Sequence, residues 1–231
     1  MKSSMAAARA EDLLRRRAVL RAGLGTTFAL GAGPLWLHQA NAAERDDFFK
    51  AIALDRSSLL RPLLEAGLDP NTSDERGNTG LLLSVREGSF EVAEVLLAAR
   101  GIDVDRANAV GETPLMMAAL RGHAAWVEKL LERGAVLNRP GWTPLHYAAS
   151  GPQPKVLAML LERGAQVDAK SANGTTPLMM AAGYGAIDGA EMLLKRGADA
   201  RTRNERGLNA ADFARRAGRD ALAERLEAAV R

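Results

Sequence analysis

The chain contains no cysteine. Disulfides, thiolate metal sites and cysteine nucleophiles are therefore excluded, while export to an oxidising compartment is not. Aromatic residues are scarce, at 4% against 47% apolar residues overall. Any core must be built from Leu, Ala, Val and Met. Histidine occurs only three times. No HExxH spacing, Gly-rich phosphate loop, Ser-His-Asp order or paired-carboxylate spacing stands out, which argues against an enzyme. A large charge of one sign is also missing. Six of the 31 Lys/Arg and two of the 28 Asp/Glu fall in residues 1–42, which leaves 25 basic against 26 acidic residues. A nucleic-acid partner needs a basic face, and charges of both signs alternate here instead.

Residues 1–42 read as an export signal. Arg15, Arg16, Arg17 and Arg21 form a basic cluster, and the 16 residues Ala22 to Leu37 carry no charge. Ala40-Asn41-Ala42 then gives the small-x-small pattern of a cleavage site, expected after Ala42. The uncharged run holds four Gly and a Pro and is short for a membrane span, which needs roughly 20 apolar residues. Arg16-Arg17-Ala18-Val19-Leu20-Arg21 resembles the twin-arginine export motif. Arg15 departs from the Ser or Thr usual before the pair. This resemblance implies a bacterial protein exported folded to the periplasm; an ordinary secretory signal or an uncleaved anchor is the alternative.

The rest of the chain repeats one pattern. Gly77, Gly111, Gly141, Gly174 and Gly207 open GNTGLLLS, GETPLMMA, GWTPLHYA, GTTPLMMA and GLNAADFA, at spacings of 34, 30, 33 and 33. Leu96-Leu97, Leu130-Leu131, Leu160-Leu161 and Leu193-Leu194 follow the first four, and Gly101, Gly134, Gly164 and Gly197 follow those. Each unit predicts two helices. Thr113, Thr143 and Thr176 are N-caps, each followed by a proline that loses no hydrogen bond at the first helical position. Ala118-Ala119, Ala148-Ala149 and Ala181-Ala182 allow close helix approach. Gly88, Gly122 and Gly185 break the chain before the second helix. Gly134, Gly164 and Gly197 end that helix in the left-handed conformation.

The pattern resembles the ankyrin repeat, Gly-x-Thr-Pro-Leu-His-x-Ala-Ala followed by Leu-Leu and Gly-Ala-Asp. The resemblance covers about residues 44–231. It implies an all-α solenoid of stacked helix-turn-helix units with short β-hairpin fingers, in which each unit is stabilised by its neighbours. The domain is expected at 43–231, with units at 44–73, 74–107, 108–137, 138–170, 171–203 and 204–231, the first and last acting as caps. Gly80 stands where proline is expected, so the second unit should start its first helix more softly.

The same resemblance explains the residues that might suggest chemistry. His146 falls on the family histidine, whose ring bonds backbone or Thr groups between units. His123 opens a second helix. Met116-Met117 and Met179-Met180 recur at one repeat position and read as packing, with soft-metal binding as the competing reading. Trp126 reads as packing. No cofactor or metal site is expected. The expected partner is a protein, bound by a monomer, with no nucleic acid and no membrane after signal cleavage. Exported proteins of this family also include protective or immunity proteins, which is the alternative function. The finger tips and the exposed side of the first helices supply the candidate contacts: Arg76, Asn78, Arg86, Val110, Glu112 and Arg121 in the first half, then Arg139, Trp142, Asn173, Thr175 and Tyr184. Trp142 and Tyr184 are the candidate anchors; Trp142 has the competing role of folding over a shortened finger. Gly134 to Gly141 spans seven residues, against ten from Gly164 to Gly174. The lost finger tip either admits a projecting partner element or is a tolerated deletion.

Overall fold

The computed structural model describes residues 35–230, so most of the expected export segment lies outside the described residues. Those residues form twelve helices in six pairs. The pairs are α1 (Leu35–Ala53) with α2 (Ser57–Glu65), α3 (Gly80–Glu87) with α4 (Phe90–Ala98), and α5 (Pro114–Arg121) with α6 (Ala124–Glu132). The rest are α7 (Pro144–Ser150) with α8 (Pro154–Glu162), α9 (Pro177–Gly183) with α10 (Ile187–Lys195), and α11 (Ala210–Arg216) with α12 (Asp220–Ala228). Cleavage after Ala42 would fall inside α1 and leave the part that carries the buried Phe48 and Ile52.

The expected local signals set the helix starts. Thr79, Thr113 and Thr176 accept from Leu82, Met116 and Met179 backbone N–H at 3.2, 3.4 and 3.4 Å. In the last unit Asn209 takes over, and Asp212 returns the bond to complete a capping box. Gly80 does not act merely as a weak substitute for proline. Its N–H donates to Thr72 O at 3.1 Å, which proline cannot do. A Cβ there would lie 2.4 Å from Phe48 Cζ, so the missing side chain makes room for the ring of the first unit.

First helices stack on first helices and second helices on second helices, giving two layers along one continuous core. Met116, Met117 and Met179 are buried in it, as the packing reading expects, and Trp126 stacks on Phe90. The first-helix layer is close-packed because its facing residues are small. Gly185 shows how close: a Cβ there would stand 1.9 Å from Ala149 O. Its φ is not positive, unlike those of Gly88 and Gly122. Gly185 is therefore required for backbone approach, which corrects the reading of it as a simple chain break.

Two further lines tie neighbouring units. In the first, the residue four after each helix-ending Gly bonds to the next unit. Asn71, Asp105, Asn138 and Asp168 accept from the backbone N–H of Asp103, Val136, Gln166 and Asp199 at 2.7–3.0 Å. In the second, ion pairs cross the exposed second helices: Glu94–Lys129, Glu128–Arg163, Glu162–Arg196 and Glu191–Arg225. Such exposed pairs contribute about 0–1 kcal/mol each.

Candidate partner-binding face

The fingers precede the first helices. An intact finger is a tight turn closed by a short polar side chain. Asp74 Oδ1 accepts from the N–H of Arg76 and Asn78, Asn108 Oδ1 from Val110 and Glu112, and Asn204 Oδ1 from Arg206 and Leu208. Ser171 Oγ and Asn173 Oδ1 both accept from Thr175 N–H. Among the described residues one isolated β-bridge, Ser73 to Thr79, is the extent of strand pairing. The fingers are accordingly very short hairpin turns, closed by backbone bonds such as Asn108 N–H to Glu112 O and Ser171 N–H to Thr175 O. Neighbouring tips are joined by Ala109 N–H to Arg76 O and by Glu205 N–H to Asn173 O, both 3.0 Å.

The shortened finger interrupts that line. Residues 139 and 140 are all that lies between Asn138 and Gly141, and no tip-to-tip backbone bond reaches them among those described. The hollow left behind is about 290 Å³, lined by Asn138, Arg139, Pro140, Gly141, Gln166 and Lys170, with Ala169 at its base. The deletion falls after Asn138, so the bond from Gln166 to Asn138 survives and the stack keeps its spacing.

The face on the N-terminal side of this notch is saturated with its own hydrogen bonds. Asn78 Nδ2 donates to Asp74 Oδ2, Asn108 Nδ2 to both Asn78 Oδ1 and Glu112 Oε2, and Tyr147 Oη to Glu112 Oε1 at 3.2 Å. Burial tends to raise the Asp74 pKa, but the bonds from Asn78 and Arg76 outweigh it and hold it low. Burial, followed by the Glu112 carboxylate, pushes the Tyr147 hydroxyl well above the usual phenol range. These groups are committed to the ladder.

On the C-terminal side lies an open groove of about 440 Å³. Trp142, Tyr184 and Phe213 give it three rings, with Met180 and Leu208 between them. Asn173, Thr175 and Asn204 edge it, and Arg206 and Arg216 complete it. Tyr184 is 66% exposed and meets Phe213 edge-on at 6.5 Å. Trp142 is half-buried and rests on His146 and Tyr147 at 5.1 and 6.4 Å, so it partly folds over the shortened finger while still facing the groove.

The candidate contacts divide accordingly. Arg76, Val110, Arg121, Asn173 and Tyr184 are exposed, with Val110 at 74%. Arg86 is tied to Glu87. Arg139 is half-buried at the notch. Glu112 is engaged by Asn108 and Tyr147. Asn78 and Thr175 are corrections: at 4% and 3% exposure their side chains offer a partner almost no surface. Both sit one residue after a finger Gly and turn beneath the finger. Arg216, Phe213 and Leu208 were missed. Leu208 and Arg216 are the sixth unit's counterparts of Thr175 and Arg86, but that unit reads as a cap; Phe213 falls at the register of Met180, which reads as packing.

His146 and His123 have structural work. His146 is fully buried; its Nε2 donates to Thr175 O at 3.0 Å, and its Nδ1 accepts from Thr143 N–H at 3.1 Å and contacts Thr143 Oγ1. Burial lowers its pKa, partly offset by the Thr175 carbonyl. The ring is thus a neutral bridge between units, with both nitrogens occupied. His123 packs edge-on against Phe90 at 5.0 Å, and burial and Arg121 lower its pKa. Among the described residues no cluster of three His, Asp or Glu is arranged to hold a metal.

Comparison with known proteins agrees with this architecture. The family model described as "Ankyrin repeats (3 copies)" matches residues 48–140 and 134–204. Neurogenic locus notch homolog protein 4 of Homo sapiens is 37% identical over 167 residues, 64% of this chain and 8% of that protein. The B-cell lymphoma 3 protein homolog of Mus musculus is 28% identical over 184 residues, 77% of this chain and 41% of that protein. The chain therefore spans under half the length of these relatives. A chain from the solved complex of a predatory endopeptidase from Bdellovibrio bacteriovorus with an immunity protein superposes with a TM-score of 0.66 at 25% identity. That match covers 79% of this chain and 97% of the other.

Proposed function

The chain belongs to the ankyrin-repeat family, and from that premise we propose that it is a non-enzymatic module that binds one protein partner across its fingers and first helices. The observation that carries this reading is the contrast on that face. One half satisfies its polar groups internally, whereas the other exposes rings and arginines around a groove. Buried aromatic and Arg anchors of this kind dominate binding energy at interfaces.

A narrower function, protection against an enzyme by occlusion, is favoured by the structural likeness to the complex containing an immunity protein, which extends over 97% of the matched chain. The export signal proposed from the sequence fits the same reading. The basic cluster, uncharged run and Ala40-Asn41-Ala42 suit delivery to the periplasm, where an exported hydrolase would be met. The protein acts as a monomer in this scheme, and the notch beside Trp142 admits a projecting element of the partner.

Affinity capture from the periplasmic extract of the source cell, read by mass spectrometry, tests the proposal. Wild-type protein is expected to enrich one exported protein, and Tyr184→Asp to lose it while keeping its melting temperature. Equal capture by both proteins would remove the assigned face; capture of nothing by the wild type would remove the function. Replacing Arg16-Arg17 by Lys-Lys is expected to leave the chain unexported and uncleaved at Ala42.

A further inference from the structure

We infer that the groove between the fingers of the fifth and sixth units receives an acidic segment of the protein partner, with one aromatic or aliphatic side chain among the rings and its flanking carboxylates on Arg206 and Arg216. The inference rests on the partner-binding function above and adds the chemistry of what is bound.

Size comes first. At about 440 Å³ the groove falls within the range of roughly 300–1,000 Å³ typical of binding clefts. It can seat a large side chain. Its walls suit such a side chain, because Trp142, Tyr184 and Phe213 present rings and Met180 adds a flexible thioether.

Charge then selects the flanks. Arg206 and Arg216 are exposed, and neither guanidinium has a hydrogen-bonding or ion-pair partner among the described residues. None of the residues lining the groove is acidic. Asp212, on the same helix as Arg216, caps Asn209 N–H and pairs with Arg203 and Arg215. Two free guanidinium forks beside an apolar slot match carboxylates flanking an apolar residue. The chain's own first 42 residues do not fit, since they carry six basic and two acidic residues and would be repelled.

The test uses the full chain and fluorescein-labelled octapeptides with Trp or Leu between pairs of Asp/Glu, against the same peptides with Lys in place of each acid. Fluorescence anisotropy is expected to show binding of the acidic peptides, weakened by salt. Arg206→Glu with Arg216→Glu is expected to lose about tenfold or more and to prefer the Lys peptides, with unchanged helicity and melting. Tyr184→Ala is expected to weaken binding without reversing the preference. Failure of every acidic peptide to bind, equal binding of both series, or indifference to the charge reversal would overturn the assignment. So would self-association abolished by the charge reversal, which would place a second copy in the groove. The wider function is read separately. If the captured partner still binds the charge-reversed protein, the groove assignment falls and the partner-binding function stands.

Discussion

The two sides of the notch are built from the same repeat, yet they use their polar groups in opposite ways. Between Asp74 and Tyr147 the side chains of Asn78, Asn108, Glu112 and Tyr147 form one hydrogen-bonded ladder within and between units, while Arg76 and Arg121 stay exposed. From Trp142 to Ala217 the corresponding positions hold Trp142, Thr175 and Leu208, which do not extend that ladder, and the groove's Arg206 and Arg216 face solvent. A saturated face gains rigidity and offers a ligand little. An unsaturated one retains interaction energy for a partner. The difference turns largely on a single register position, the residue after the finger glycine: Asn78 and Glu112 on one side, Trp142, Thr175 and Leu208 on the other.

The strongest way to break this division is at the seam between the fourth and fifth units, on the groove-bearing side. Gly185→Ala puts a Cβ 1.9 Å from Ala149 O, where backbone lies on both sides and no flexible side chain can yield. A loss of about 3 kcal/mol, the upper end for overpacking, is expected in denaturant unfolding. Hydrogen exchange should show α9 to α12 opening ahead of the N-terminal units. Gly88→Ala is the control: nothing lies within 4 Å of its added Cβ, so only the positive φ is penalised, by about 1–2 kcal/mol. Equal losses would mean that close approach at the seam has no special role.

A smaller effect is expected inside the ladder. Asn108→Ala removes a turn closure and leaves Asn78 Oδ1 and Glu112 short of their partner. About 2 kcal/mol of stability should go, with partner affinity unchanged. A drop in affinity larger than the drop in stability would place binding on the saturated half and undo the comparison.

How these features could be read beforehand follows from their range in sequence. The six-unit stack was legible because each helix start and stop is local: Thr-Pro, Leu-Leu and Gly recur together within about 30 residues. Tyr184 and Asn173 are exposed, as register alone leads one to expect. Asn78 and Thr175 are not, because register gives a position along the repeat and not the direction of a side chain. Each turns under its finger toward hydrogen-bonding partners there. Gly80 and Gly185 were misread for a related reason. What each glycine accommodates, Phe48 or Ala149 O, lies more than thirty residues away and leaves no local trace. The ion-pair line across the second helices was in principle visible as Glu and Lys/Arg at separations of 34 and 35 residues.

The fourth and fifth units also meet through His146, and pH is the gentlest way to loosen that contact. The ring accepts from Thr143 N–H in the fourth unit and donates to Thr175 O in the fifth. Protonation turns the acceptor nitrogen into a donor and sets it against the Thr143 N–H. In the unfolded chain the imidazole takes its proton near pH 6.5; in the fold, burial lowers that value. The unfolded state therefore binds more protons between the two values, and stability rises with pH across that window. The contribution is full above about pH 6.5 and is lost as pH falls through the folded value. Melting temperature should accordingly decline from pH 7 toward pH 5. His123 shifts in the same direction, so the informative comparison is His146→Gln, which keeps an acceptor and a donor but cannot titrate, with His123→Gln. A flatter pH profile is expected for His146→Gln, and the larger flattening of the two, because its ring is fully buried and His123 is not. An unchanged slope in His146→Gln would show that the bridge between the fourth and fifth units does not sense protons.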